Sequence, residues 1–313
     1  MQKNRWMEYG EAGGSVILTL GDSVTWGQGL LDEHKLDRIC AEGKPLARLA
    51  HSGALLGSPR DSSNQREHPE IPVGYPSIWQ QMASVNDWND IEVVILNGGI
   101  NDVSLARILN PWIAAEQIAQ LANQFCATEM ERFLCKLVSL VKTEARVLVV
   151  GYYPILSGQS KPLDEKQPRM LMEMHGVATS SVAMNTTIEI GSLMPRIVEN
   201  CITFWQASAK SLKSTVEAVN TAAARPICFF VDPGFTEENA LWAGDPLLWQ
   251  LTIELDAEDE VKALRDQECG SCYGDLVHIP EWGEWYTCCR ASVGHPNVAG
   301  AAKISSQFMG LVT

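Results

Sequence analysis

Five short, mostly apolar runs, each stopped by a glycine or a polar turn residue, set what this chain can fold into. Residues 15–20 run into Gly21-Asp22-Ser23, and residues 45–50 into His51-Ser52-Gly53-Ala54. Ile91–Leu96 ends on Asn97-Gly98-Gly99-Ile100-Asn101-Asp102, residues 145–151 end on Gly151, and residues 227–231 end on Asp232-Pro233-Gly234. Continuous apolar runs this short read as strands buried on both faces, not as half-exposed strands with alternating polarity. Between them the spacing predicts helices over 111–125, 129–142 and 196–224, the last from apolar residues such as Ile197, Cys201, Phe204, Leu212 and Val216. Strands alternating with helices imply an α/β fold with a parallel sheet. The order of the strands in that sheet is not written in the periodicity.

Side chains that can do chemistry sit where these runs stop. A glycine after a buried strand feeds a tight turn, and the turn presents Ser23 instead of burying it. If a helix starts at Val24, Ser23 stands at its N-terminus, where free N–H groups favour developing negative charge. The plainer alternative is that Asp22 and Ser23 only cap that helix. A nucleophilic serine also needs a base and oxyanion donors. His295 is the candidate base. Pro296 restricts it to extended backbone and Asn297 is placed to cap a helix with apolar residues at Val298, Ala301, Ile304 and Phe308. The Asn101 amide and the Gly53 N–H are the candidate donors.

Taken in order, Gly21-Asp22-Ser23, Gly53, Gly99-Ile100-Asn101-Asp102 and His295-Pro296-Asn297 resemble the four sequence blocks of the SGNH hydrolases, also called GDSL esterases and lipases. The resemblance spans nearly the whole chain. It implies a flavodoxin-like three-layer α/β/α fold with a five-stranded parallel sheet and long insertion loops. It also implies Ser23 as nucleophile and backbone oxyanion donor, Gly53 and Asn101 as further donors, and His295 as base. Asp22 and Asp102 are expected to support the site, and Trp26, close after the serine, to wall the substrate pocket.

One position departs from the family pattern. An aspartate commonly stands three residues before the histidine, and here that residue is Ser292. Losing the acid of a serine triad costs roughly 10⁴ in rate, mainly through the wrong histidine tautomer. A backbone carbonyl can fix the tautomer instead, and the main-chain carbonyl of Ser292 is the first choice. A carboxylate from elsewhere is the second, with Asp275, Glu281 and Glu284 nearest upstream. The expected activity is hydrolysis of carboxylic esters, of short acyl or acetyl type or carried on a lipid or acetylated sugar, through an acyl-enzyme on Ser23. Two alternatives stay open: an inactive SGNH-fold module that binds an acylated glycan or lipid, and an acyltransferase using the same Ser–His pair.

No boundary divides residues 1–313, so the chain reads as one domain with insertions at about 152–195 and 232–290, the first a candidate lid. A formal charge of -14, without a basic stripe, argues against nucleic acid as a partner. No run approaches the ~20 apolar residues that span a bilayer. Residues 1–9 lack the apolar core of a secretory leader, so the expected location is cytoplasmic unless the chain is supplied without its leader. No cofactor and no metal are implied, and the partner expected is a small-molecule ester. The acidic stretch 254–260 reads as a solvated helix face. Cys269, Cys272, Cys288 and Cys289 read as a disulfide tying the loop before His295 or as free thiols, ahead of zinc.

Overall fold

A computed structural model of the chain describes residues 16–41, 43–57, 68–177, 180–181, 186–187, 189–273 and 287–312. The five apolar runs form one sheet of parallel strands: β1 (Val16–Leu20), β2 (Leu46–Arg48), β3 (Ile91–Leu96), β4 (Arg146–Val150) and β5 (Cys228–Val231). The sheet order is β2-β1-β3-β4-β5. Every residue of β1 is buried, as a strand covered on both faces requires. Each such aliphatic side chain withdrawn from water contributes about 1.5–3 kcal/mol before entropy is set against it.

The helices follow in chain order as α1 (Ser23–Trp26), α2 (Leu36–Ala41), α3 (Ile78–Ala83), α4 (Ile100–Val103), α5 (Leu105–Ile108) and α6 (Ala115–Asn123). Then come α7 (Met130–Val138), α8 (Lys166–Met174), α9 (Ile190–Ala223), α10 (Lys262–Tyr273) and α11 (Val298–Ser306). The chain leaves β1 toward β2 on one side and later adds β3, β4 and β5 on the other. Because parallel crossovers are right-handed, that reversal sends the helices to opposite faces and gives three layers. Accordingly α2 packs on α11 and on β1 and β2, while α6 and α7 both pack on α9 and α9 covers β5. The reversal also opens a crevice beyond the carboxyl end of β1, where open sheets of this kind bind ligands. Ser23 stands at that point.

Several elements differ from the sequence expectation. The helix expected over 111–125 begins at Ala115 and passes through a π-helical turn, Gln124–Glu129, directly into α7. The turn brings Cys126 Sγ to 4.0 Å from the Gly98 carbonyl at the end of β3. Helix α9 starts at Ile190, ahead of the expected 196, and carries Pro195 within it. Proline leaves the carbonyl four residues back unpaired, and here that residue, Gly191, is exposed and open to water. The first insertion holds α8 and a short antiparallel ribbon, Ser180–Ser181 with Thr186–Thr187.

The acidic stretch 254–260 is not a helix face. Leu255 has φ 61, a left-handed conformation that stops helical propagation, and Leu251 bridges Ala257. Three of its five carboxylates are in ion pairs: Asp256 with Lys262, Asp259 with Arg265, and Glu260 with His34. Beyond it, the 247–249 segment pairs with the chain around His295. Trp249 N donates to the His295 carbonyl at 2.8 Å, Gly294 N to the Trp249 carbonyl at 3.0 Å, and Asn297 N to the Leu247 carbonyl at 2.9 Å.

Candidate active site

The turn after β1 is built around Gly21. Its φ is 126°, and a Cβ there would lie 2.4 Å from Asn97 Oδ1 and 2.5 Å from Thr25 Oγ1, so no side chain is tolerated. Gln81 holds the glycine from α3, accepting from Gly21 N at 2.8 Å and donating to the Gly21 carbonyl at 2.9 Å. Asp22 caps α1 through its side chain, which accepts from Val24 N at 2.9 Å. The capping role thus belongs to Asp22, and Ser23 is left with its hydroxyl toward the cavity.

Asp22 is fully buried and has two further donors. Asn97 Nδ2 donates to Oδ1 at 2.6 Å and the Tyr152 hydroxyl to Oδ2 at 2.8 Å. Burial raises the Asp22 pKa against the pull of these hydrogen bonds, and burial beside Asp22 raises that of Tyr152 well above the ordinary tyrosine value. Asn97, Gln81 and Tyr152 had no role in the sequence reading. Register links the first to the turn, since Leu20 pairs with Leu96 and the next residues on the two strands are Gly21 and Asn97. That adjacency depends on strand order, which periodicity does not carry.

His295 reaches the same point from the other end of the chain. Its Nε2 lies 2.7 Å from Ser23 Oγ. Its Nδ1 lies 3.2 Å from the Ser292 carbonyl, which also accepts from His295 N at 2.8 Å. With Nδ1–H donating to that carbonyl, Nε2 is the acceptor facing the serine. Burial holds the His295 pKa down to about 4, with Arg265 acting the same way and the Ser292 carbonyl and Asp259 opposing. Asn297 caps α11, accepting from Gly300 N at 3.0 Å.

The remaining candidates meet this pair. Gly53 has φ 76, and a Cβ on it would lie 2.5 Å from Val73 N. Asn101 Nδ2 donates to the Ala54 carbonyl at 3.0 Å. The Asp102 carboxylate accepts from Leu56 N at 2.8 Å and Gly57 N at 2.9 Å, which ties the Gly53 loop to α4. Ser23, Gly53, Asn101 and His295 all line one cavity of about 630 Å³. Leu105, Leu109, Ile155, Leu171 and Met174 give it an apolar wall, and His175 and Gly176, just past α8, complete the cover. Burial and the neighbouring His295 lower the His175 pKa to about 4.

Trp26 does not wall this cavity. Its indole N–H donates to the buried Glu70 carboxylate at 2.8 Å, and Lys35 Nζ lies 3.2 Å from its ring centroid, so the ring is engaged away from the opening. Cys269 and Cys288 form a disulfide, and Cys289 is a buried free thiol; the Cys272 side chain lies outside the described residues. Asp275, Glu281 and Glu284 also lie outside them. Among the described residues no cluster of three His, Cys, Asp or Glu side chains could hold a metal ion, and no helix is long and apolar enough to cross a membrane.

The sheet is parallel and doubly wound, and the four sequence blocks gather beyond the carboxyl ends of its strands, where open α/β sheets bind ligands. No family model and no curated protein sequence matches the chain. Among solved structures it is similar to a phospholipase A1 from Streptomyces albidoflavus NA297, at 15% identity over 95% of this chain and 98% of that one, with a TM-score of 0.48. An extracellular lipase from Streptomyces rimosus aligns at 16% identity over 77% of this chain and 90% of its own, TM-score 0.45. A carbohydrate esterase aligns at 14% identity over 74% and 59%, TM-score 0.36.

Proposed function

We propose that the chain is a serine esterase that hydrolyses carboxylic esters through an acyl-enzyme on Ser23. One observation carries the reading: a serine hydroxyl 2.7 Å from a histidine Nε2, inside an apolar cavity with convergent polar groups. His295 takes the Ser23 proton as Oγ attacks the ester carbonyl, and the alkoxide leaving group takes that proton back from the imidazolium. The backbone N–H groups of Ser23 and Gly53 donate to no group among the described residues, and with the Asn101 amide they are the donors for the tetrahedral oxyanion. Water then attacks the acyl-enzyme with His295 again as base. With its pKa near 4 the imidazole is neutral, and so able to accept a proton, above about pH 5.

The apolar wall suits an acyl chain, and no cofactor enters any step. Ser23→Ala is expected to abolish turnover of p-nitrophenyl butyrate, a loss of at least about 10⁴-fold, and to prevent labelling by a fluorophosphonate probe. Wild-type protein that neither turns over p-nitrophenyl esters nor takes the label would instead favour a module that only binds its ligand.

A further inference from the structure

The residue in the place of the missing triad acid has a carboxylate behind it. Ser292 Oγ donates to Asp259 Oδ2 at 2.6 Å, across 33 residues of chain. Asp259 has no exposed side-chain surface, and neither has its partner Arg265. Arg265 binds Asp259 in a two-pronged arrangement, through Nη1 to Oδ1 at 3.0 Å and through Nη2 to Oδ2. Val261 N donates to Oδ1 at 3.1 Å, and Arg265 Nε donates to the Cys289 carbonyl at 3.2 Å. Both charges are buried, and a buried pair with incomplete hydrogen bonding is costly. Here the carboxylate has four donors, one of them the hydroxyl of Ser292.

We infer that Asp259, clamped by Arg265, is a positioning residue for the base. It holds Ser292 by its hydroxyl so that the carbonyl of the same residue faces Nδ1 of His295. This rests on the proposed Ser23–His295 chemistry. The usual acid would touch the imidazole itself; here the carboxylate stands one residue back and acts through a main-chain carbonyl. Such an arrangement has an electrostatic consequence. A lone carboxylate beside His295 would favour its protonated form, whereas Asp259 and Arg265 act on it in opposite directions. Arg265 also stands 3.6 Å, Nη1 to Oε2, from the buried Glu70, and His175 at the end of α8 is a further titratable group beside the imidazole. The pair therefore supplies orientation with little net charge, and the base stays neutral.

Ser292→Ala tests the link, because it removes the hydroxyl and leaves the carbonyl and the ion pair in place. Its kcat on p-nitrophenyl butyrate is expected to fall about 10–100-fold with KM unchanged, since small misplacement of a catalytic group is costly. Ser292→Thr, which retains a hydroxyl, is expected to recover most of that loss. Asp259→Asn is expected to lower kcat as well and to move the acid limb of the pH profile down, because it removes the negative charge that favours protonated His295. Should Asp259→Asn fail to fold, Ser292→Ala and Ser292→Thr decide the matter alone. Nitrogen-15 NMR of the His295 ring gives a readout that needs no turnover: the Nδ1–H tautomer should dominate in wild type and lose population in Ser292→Ala. Wild-type kcat together with an unchanged tautomer in Ser292→Ala would overturn the inference. Tautomer loss in a protein that hydrolyses no ester would uphold it while the esterase reading fell.

Discussion

The serine and the histidine sit within one hydrogen bond of each other, yet they are held in opposite ways. Ser23 follows a fully buried strand and is fixed by a short turn whose partners are Gln81 from α3, Asn97 just past β3 and Tyr152 just past β4. His295 belongs to a segment with no strand of its own. It is stitched to residues 247–249, backed by Asp259 and Arg265, and stapled to α10 through the Cys269–Cys288 disulfide. The position of Ser23 is thus a product of the sheet, and that of His295 a product of long-range ties laid over it. Damage to the first side should appear as lost stability, and damage to the second as lost stability with misplacement of the imidazole.

The largest effect is expected on the base side. Replacing Cys269 and Cys288 together by serine opens a 19-residue loop and should lower unfolding free energy by about 2–4 kcal/mol in a denaturant titration. The same variant should lose kcat more than KM. Equal loss of both would mean that the staple does not bear on the imidazole. On the nucleophile side, Gln81→Met keeps the volume but leaves Gly21 N, a buried donor, without its partner. The expected cost is about 1–3 kcal/mol by the same titration. A change within error would show that the turn is held by β1 and Asn97 alone.

The third effect is a pH dependence that both sides share. His51, His175 and His295 are each held down to about 4 from an ordinary value of 6.5, chiefly by burial. Between those values the unfolded chain binds protons that the folded one refuses. Stability from these groups is therefore intact above about pH 6.5, declines as the pH falls toward 4, and levels off below it. Thermal melts across pH 4–7 should show the fall, and a His175→Gln variant should show a shallower one. A slope that His175→Gln leaves unchanged would remove His175 from that set.

The same contrast explains what could be read from the chain. Strands announce themselves because a strand buried on both faces needs an unbroken apolar run, and the glycines that end the runs locate Ser23 and the loop after β3. The strand order follows from packing, not from local sequence, and with it went the partners of Asp22. Asp259 was hidden for a different reason. In the sequence it is one of several acidic residues in 254–260, and only burial against Arg265, six residues on, and the contact with the distant Ser292 set it apart. Trp26 misled because nearness in sequence to Ser23 put it on α1, whose last turn leads away from the cavity toward Glu70. The acidic run misled because composition does not reveal that Leu255 adopts a left-handed backbone.

The backbone ladder between residues 247–249 and 294–297 fixes both ends of the chain that runs out between them. A detour closed at its neck can change length without shifting the frame of what lies at the neck. Residues could be added or deleted inside the loop that the Cys269–Cys288 disulfide closes while the imidazole kept its bearing, which makes that loop a natural place to graft new selectivity beside an unchanged Ser23–His295 contact.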